Sequence, residues 1–391
     1  MSLRLSVPTV NPVESFIDIS GVAEPREPVA RVPVERLDVG AFLIPTESPE
    51  ADGTLEWSST TLVTVELSAG GQTGFGYSYS DAAAAALVHG RLRPLIEGAD
   101  VFEHGAVLAR MLRQVRNLDQ TGLVAMALSA VDAAFWDLKA RLLGTSLMRL
   151  LGVCRRSVPI YGSGGFTSYS VEHLEAQVAG WVEEGIPRVK MKVGADPEAD
   201  PERVAAARRA IGEGVELYVD ANGAYAEKQA VWMADRFAEQ HVSWFEEPVS
   251  SDDLPALARI RAALPEGMEL SAGEYGDGSR YFLRMLQAQA VDVLQADATR
   301  CLGITGLLEA GAIADAFEVP MSTHCAPSLH LHAACALPRF RHLEYFHDHA
   351  RIERMLFDGF VEPHAGTLTP DPEVPGLGIT FKRRDAARFE V

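Results

Sequence analysis

Lys190 and Lys192 stand two residues apart in RVKMKVG, between Val189, Met191 and Val193. Alternate residues of a strand share a face, so the two ammonium groups would lie roughly 6.6 Å apart. At an effective dielectric of about 20 their repulsion is on the order of 2.5 kcal/mol. An exposed edge strand tolerates such a pair in water; a buried strand keeps it only where the weakened hold on a proton is of use. Further along, polar side chains recur at the ends of short apolar runs: Asp220 and Asn222 in YVDAN, Glu246 in WFEEP, Glu274 in SAGE, Asp297 in LQAD, His324 in MSTH and Glu344 in HLEY. Asp220, Glu246 and Glu274 gathered in one place would repel one another and be driven to protonate. A divalent cation resolves that, and an oxygen-only set suits Mg²⁺, or Mn²⁺ in its place. Each acid alone could equally be a helix cap or an ion-pair partner; it is the three in register that point to a metal. Glu247, by alternation, faces away from Glu246 and reads as a solvated or supporting carboxylate.

These residues need a scaffold that brings successive strand ends together. From VPIYGS onward eight β-like runs alternate with amphipathic stretches such as VEHLEAQVAGWVEEG. The runs are VPIYGS, RVKMKV, ELYVDA, VSWFEE, MELSAGE, VDVLQAD, VPMSTH and RHLEYF. A repeat of about 20 to 30 residues is one βα unit, and eight of them suit a (β/α)₈ TIM-type barrel, whose active site lies at the C-terminal ends of the strands. A doubly wound sheet is the rival, but no G-x-G-x-x-G follows the first strand. Before the barrel, VPVERLDVGAFLI and SSTTLVTVELS read as strands of a meander, separated by a polar loop, TESPEADGTLEW, over 46–57. In VAMALSAVDAAFWDLKARLLG, Leu128, Val131, Phe135, Leu138 and Leu142 repeat at helical spacing until Gly144. The chain thus divides into an α+β unit over 1–150, a barrel over 151–350, and a tail over 351–391 that returns to the first unit.

The chain has 391 residues, is 47% hydrophobic and 23% charged, and suits a folded protein of two domains. A net charge of -19 disfavours nucleic acid and anionic membrane surfaces as partners, since both call for clustered Lys and Arg. No apolar run approaches the roughly 20 residues of a membrane span, and the N-terminus lacks a signal-peptide pattern; the expectation is a cytoplasmic protein. Cys154, Cys301, Cys325 and Cys335 form no C-x-x-C pair and read as reduced thiols. His330 and His332 read as packing histidines rather than zinc ligands. His347 and His349 would line the site mouth or lie in water, and Asp132 and Asp137, inside an apolar helix, would hold helix ends or arginines.

KMK, VDANG, FEEP, AGE, QAD, STH and LEY, in this order, resemble the enolase superfamily in its mandelate racemase subgroup, over about residues 31 to 385. The resemblance implies an α+β capping domain made of both chain termini, closing a (β/α)₈ barrel. It implies Asp220, Glu246 and Glu274 as metal ligands. Lys192 would be the base on one face of the substrate with Lys190 as its partner, His324 with Asp297 the acid/base dyad on the other face, and Glu344 the group that hydrogen-bonds the enediolate. Asn222 and Ser163 would contact substrate. Leu302 stands where that family commonly has a second Gly before Gly303, and GFGY lacks a Glu that often follows the Gly. Relatives are usually symmetric oligomers, so a homo-oligomer is expected.

The roles make physical sense. A proton α to a carboxylate is a very weak acid, and its removal needs prepositioned charge to stabilise the dianion that forms. Lysine must be partly neutral to act as a base, and the ammonium of Lys190 with the metal charge would push Lys192 toward that range. Asp297 would fix the tautomer of His324 and raise its basicity. Loss of a β-hydroxyl gives dehydration; reprotonation on the far face gives racemisation of a 2-hydroxy acid. Gln295 and Asp297 stand where the cycloisomerase and dipeptide-epimerase branches carry a second lysine. Dehydration of an acid sugar to a 2-keto-3-deoxy acid is therefore the first expectation, with a small carboxylate as the binding partner. A barrel that binds metal and acid without turnover has no need of two lysines in conflict.

Overall fold

The computed structural model describes residues 31 to 391. β1 (Arg36–Ala51), β2 (Glu56–Ala69) and β3 (Gln72–Tyr79) form an antiparallel sheet in that order. The helix Gly122–Leu142 lies across it, with Leu128, Val131, Phe135 and Leu138 buried. The helix and β3 approach backbone to backbone. A Cβ at Gly76 would sit 2.2 Å from the carbonyl oxygen of Ala130 and 2.4 Å from the nitrogen of Ala134, so the GFGY segment and the alanines facing it are one packing solution.

The polar segment expected as a loop over 46–57 is shorter in the fold. β1 runs to Ala51 and β2 begins at Glu56, with a register shift between Pro45 and Glu50. The turn is closed by the Asp52 side chain, whose Oδ1 accepts from the backbone N–H groups of Thr54 (2.6 Å) and Leu55 (2.8 Å) and from the Thr54 hydroxyl (3.0 Å). Its tip is seated on the barrel at Gly53, where a Cβ would lie 2.5 Å from the oxygen of Ala221 and 2.7 Å from that of Val193.

Eight parallel strands follow: β4 (Val158–Gly164), β5 (Arg188–Lys192), β6 (Glu216–Asp220), β7 (Val242–Glu246), β8 (Glu269–Ala272), β9 (Val293–Ala296), β10 (Met321–Thr323) and β11 (Phe340–Phe346). They pair in sequence order, β11 closes back on β4, and a helix follows each strand, from Val171–Glu183 to His347–Leu356. The structure is thus the closed (β/α)₈ barrel expected from the alternation, with its cap. Outward side chains such as Val189, Met191 and Val193 pack under the helices in the main core. Inside, Tyr161, Tyr218, Trp244 and Val293 make an aromatic floor, with the His342 ring 4.8 Å from that of Tyr161. The chain then returns to the cap. Phe381 stacks on Phe75 with centroids 5.4 Å apart, and the Val391 N–H donates to Ala41. No helix among the described residues is long and apolar enough to cross a membrane.

Candidate active site

Parallel register sets the site. Lys192 pairs with Asp220, and Asp220 with Glu246, across β5, β6 and β7, so strand alternation turns a row of charged side chains into the barrel above the aromatic floor. Lys190 is wholly buried. Its Nζ lies 2.5 Å from Glu246 Oε1, 2.7 Å from Glu344 Oε1 and 3.5 Å from Asp220 Oδ2. Lys192 Nζ lies 2.5 Å from Asp220 Oδ2. The two lysines do share one space, as their spacing predicts, with Lys192 held against Asp220. Burial and Lys190 pull its pKa down, and the Asp220 carboxylate outweighs them, so the group stands above the ordinary lysine range. The expected lowering counts the Lys190 ammonium and a bound cation together; the Asp220 carboxylate of the neighbouring strand acts against it. Burial likewise disfavours the Lys190 ammonium, and Glu246 and Glu344 hold it charged.

Asp220, Glu246 and Glu274 present oxygens that all lie within 4.8 Å of one another. Glu246 Oε2 accepts from Trp244 Nε1 and Gln295 Nε2, each at 2.9 Å, and Asp220 Oδ1 accepts from the Asn222 N–H at 2.9 Å. Burial, then the charge of Asp220, pushes the Glu246 carboxyl well above the usual carboxylate range. Burial alone would raise Asp220 too, but the two ammonium groups hold it low. Glu274 Oε2 is buried without a hydrogen-bond partner.

Glu247 departs from the expectation. The strand ends at Glu246, and a left-handed φ of 39° at Glu247 breaks the alternation. Its carboxyl is therefore buried, with Oε1 unpartnered, and is raised by burial and by the charges of Glu274 and Asp220. Among the described residues, six buried carboxylates, Asp220, Glu246, Glu247, Glu274, Asp297 and Glu344, face Lys190, Lys192, Arg300 and the imidazole of His324. A divalent cation fits that surplus and the unpartnered oxygens.

His324 comes from the end of β10. β5 and β10 are three strands apart by way of β4 and β11, and five by way of β6 to β9, so Lys192 and His324 enter the mouth from different sides. His324 Nδ1 lies 2.8 Å from Asp297 Oδ2, and Asp297 Oδ1 accepts from the Thr299 N–H at 2.7 Å. Burial alone would raise Asp297; the His324 hydrogen bond and charge hold it well below the usual range. Arg300, absent from the sequence reading, places Nη1 3.2 Å from Glu274 Oε1 and Nε 3.6 Å from Asp297 Oδ2. Its spacing of three from Asp297 was the available signal. Cys325 Sγ is 3.2 Å from His324 Nε2.

Two expected residues lie deeper than expected. Ser163 pairs in register with Lys190, is fully buried, and donates to Glu344 Oε1 at 2.6 Å. That bond helps to position Glu344. Glu344 is also fully buried; Oε2 accepts from the Cys325 N–H at 2.7 Å, and Lys190 holds the carboxyl ionised against the effect of burial. His330 and His332 are structural: His330 Nε2 accepts from the Ala298 N–H at 2.8 Å, and His332 Nδ1 from the Met148 N–H at 3.3 Å.

Above these groups is a cavity of about 400 Å³, within the range of small-molecule sites. Lys192, Asn222, Glu274, Arg300 and His324 line its barrel side. Asp52, Leu55, Trp57 and Thr60 line its cap side. Lys192, a cluster of acids and an imidazole–carboxylate pair around one partly open cavity can hold a cation and move protons on either side of a bound acid.

Residues 46–152 match the family model "Mandelate racemase / muconate lactonizing enzyme, N-terminal domain", and residues 173–386 match "Enolase C-terminal domain-like". The chain is 30% identical over 363 residues to the D-galactarolactone cycloisomerase of Agrobacterium fabrum, covering 88% of this chain and 95% of the relative. It is 30% identical over 319 residues to the L-talarate/galactarate dehydratase of Salmonella typhimurium, covering 80% of this chain and 78% of the relative. The crystal structure of the Salmonella enzyme liganded with Mg and L-lyxarohydroxamate superposes with a TM-score of 0.87 at 26% identity, covering 96% of this chain and 98% of that one. A mandelate racemase/muconate lactonizing enzyme-like protein from Rubrobacter xylanophilus is 51% identical with a TM-score of 0.90, covering 92% of this chain and all, 100%, of that one. A cycloisomerase stands among these relatives, so Gln295 and Asp297 alone do not separate the branches. The chain belongs to the enolase superfamily, in the mandelate racemase/muconate lactonizing enzyme family.

Proposed function

We propose that this enzyme removes the proton α to the carboxylate of an acid sugar and expels the β-hydroxyl, giving a 2-keto-3-deoxy acid. The observation that carries this reading is the cavity bordered by Lys192 on one side and the His324–Asp297 pair on another, above Asp220, Glu246 and Glu274. Those three carboxylates would hold Mg²⁺, which the Salmonella dehydratase binds in its crystal structure. Bound there, the cation supplies charge stabilisation for the dianion that develops when the α-proton leaves.

The chain's own residues do the rest. Lys192 takes the α-proton as a free amine, so the proton it shares with Asp220 must first go elsewhere. Lys190, buried among carboxylates and permanently charged, favours the neutral form of Lys192 once Asp220 is engaged. Asp297 holds His324 through Nδ1, and Nε2, 3.2 Å from Cys325 Sγ and 3.4 Å from Glu274 Oε2, is the nitrogen left to act at the cavity. As the imidazolium, His324 gives its Nε2 proton to the β-hydroxyl; the C–O bond breaks, water leaves, and the enol tautomerises to the keto acid. Racemisation of a 2-hydroxy acid uses the same two groups without the leaving hydroxyl.

The test is to incubate the enzyme with Mg²⁺ and a panel of acid sugars in deuterated water, following keto-acid formation and α-deuterium incorporation. Keto acid formed with the exchange, both lost in Lys192→Ala, is the expected outcome. Exchange without keto acid would assign racemisation, and no exchange with any acid would overturn the reading.

A further inference from the structure

The cavity has two chemically different halves. Its barrel half holds the only lysine and arginine among the described lining residues, and both are engaged: Lys192 with Asp220 at 2.5 Å, Arg300 with Glu274 at 3.2 Å and Asp297 at 3.6 Å. Apart from Asp52, its cap half consists of hydroxyls and apolar surface. Thr60 shows a hydroxyl that is itself fixed by donating to Asp348 Oδ2 at 2.6 Å. Trp57 is held edge-on to Phe166, 5.6 Å between centroids, and donates Nε1 to Glu50 at 3.0 Å.

The charged group that the cap half contributes to the lining is Asp52. All three hydrogen bonds that close its turn go to Oδ1, which leaves Oδ2 without a share in them. Behind this wall the Glu50 carboxyl lies beneath Trp57, pushed up to about 8 by burial and by Asp348 and so largely uncharged near neutral pH, and Asp348 lies beneath Thr60. Arg351 pairs with Asp348, offsetting its charge, and donates to the carbonyl of Pro45, so the charge the cap wall presents is that of Asp52. His349 stacks on Tyr79 at 3.4 Å and accepts from the Ala326 N–H through Nδ1, and burial pushes its pKa well below the usual range, so it adds no positive charge. The turn that carries Asp52 cannot simply swing aside, because Gly53 is in backbone contact with Val193 and Ala221 at the ends of β5 and β6.

An acid sugar anchored by its carboxylate and α-hydroxyl at the barrel half must point its far end at this wall. We propose that the cap half selects aldonic acids, which end in a neutral hydroxymethyl group, over aldaric acids, which end in a second carboxylate, and that Asp52 is the residue that makes the selection. The proposal rests on the dehydration reading above. Threonine and serine hydroxyls and the indole face suit the CH–OH chain of a sugar, with its apolar and hydroxylated sides. A second carboxylate would meet Asp52 in a partly enclosed space and lose its water there without a cation in return.

The experiment uses matched pairs of acids with the same carbon number and configuration, one ending in hydroxymethyl and one in carboxylate, each with the Mg²⁺-loaded enzyme. Keto-acid formation, α-deuterium exchange and binding by calorimetry are read for both members. The aldonic member is expected to be favoured by roughly tenfold or more in kcat/KM and in affinity. In Asp52→Asn the amide keeps Oδ1 as the turn acceptor and removes the charge, so the aldaric-to-aldonic ratio should rise by roughly tenfold, with the change in KM. An aldaric acid turned over or bound as well as its partner by the unsubstituted enzyme, or a ratio unmoved in a folded Asp52→Asn, would overturn the selection. No exchange with either member, while aldonic acids still bind more tightly, would overturn the dehydration reading and leave the selection standing.

Discussion

The barrel mouth and the seam between cap and barrel both bury carboxylates, and they treat them in opposite ways. At the seam each acid is closed by donors. Asp132 accepts from the Thr305 N–H at 2.9 Å and its hydroxyl at 2.6 Å. Asp137 takes the N–H groups of Phe75 (2.7 Å) and Leu377 (2.6 Å) and the guanidinium of Arg141 (2.7 Å). Glu353 accepts from Tyr77 at 2.7 Å and from the Ser328 N–H at 2.8 Å. At the mouth the acids face one another; Glu247 Oε1 has no hydrogen-bond partner, and Glu274 Oε2 makes no hydrogen bond and has only the His324 ring nitrogen 3.4 Å away. A satisfied buried acid fastens two layers together; a set of unsatisfied ones is costly to the empty protein and is kept for something that binds.

The largest expected effect is at the mouth. Asp220→Asn should reduce turnover by about a thousandfold, and it should abolish the rise in melting temperature that Mg²⁺ gives the unsubstituted protein, which amounts to about 2.7 kcal/mol at a hundred times Kd. Melting with and without Mg²⁺ checks it, and a full Mg²⁺ shift in the variant would break the assignment. At the seam Asp137→Ala should cost about 3 to 5 kcal/mol with or without Mg²⁺, because it strands Arg141 and two buried N–H groups. Urea unfolding measures it. A loss below about 1 kcal/mol would put the seam on the same footing as the mouth.

The seam also predicts a pH dependence. Burial holds the His332 pKa down to about 4 from an ordinary 6.5, and the neutral ring accepts the Met148 N–H. The unfolded chain binds this proton more readily, so the contribution is complete above pH 6.5 and is lost as the pH falls through 6.5 toward 4. It is worth up to about 3 kcal/mol. His332→Asn should flatten that part of the stability–pH curve relative to the unsubstituted protein; superimposable curves would refute the role.

The eight strands and the order of the acids along them were legible because each βα unit repeats the same apolar run with a polar end, and register then does the rest. Contacts across strands were not. The spacing of Lys190 and Lys192 gave their shared face, but the proton on Lys192 depends on Asp220 in the next strand. Ser163 and Glu344 were placed by motif, and depth inside a barrel is set by the stagger of β4, β10 and β11, which no single run encodes. Leu302 illustrates the same limit. Its φ of 74° is a conformation glycine adopts freely, and the chain holds it with a Ser129 hydroxyl that accepts the N–H groups of Leu302 (2.9 Å) and Gly303 (3.0 Å) from a helix far away in sequence.

Glu247 gives the smallest effect and the sharpest contrast. Alternation sends it outward, whereas the left-handed residue after β7 turns it in among Asp220, Glu246 and Glu274 with one oxygen unpartnered. Glu247→Gln removes an acid from a surplus of acids and offers an amide donor where there was none. Without Mg²⁺ the variant should therefore be as stable as the parent or up to about 1 kcal/mol more stable, the opposite sign from Asp137→Ala. With Mg²⁺ the gain in melting temperature should shrink, since the cation loses part of the negative field that draws it. Paired melting curves read both signs at once. A Glu247→Gln protein destabilised to the extent of Asp137→Ala would mean that this carboxylate is fastened like those of the seam, and that unpartnered oxygens at the mouth do not mark a binding role.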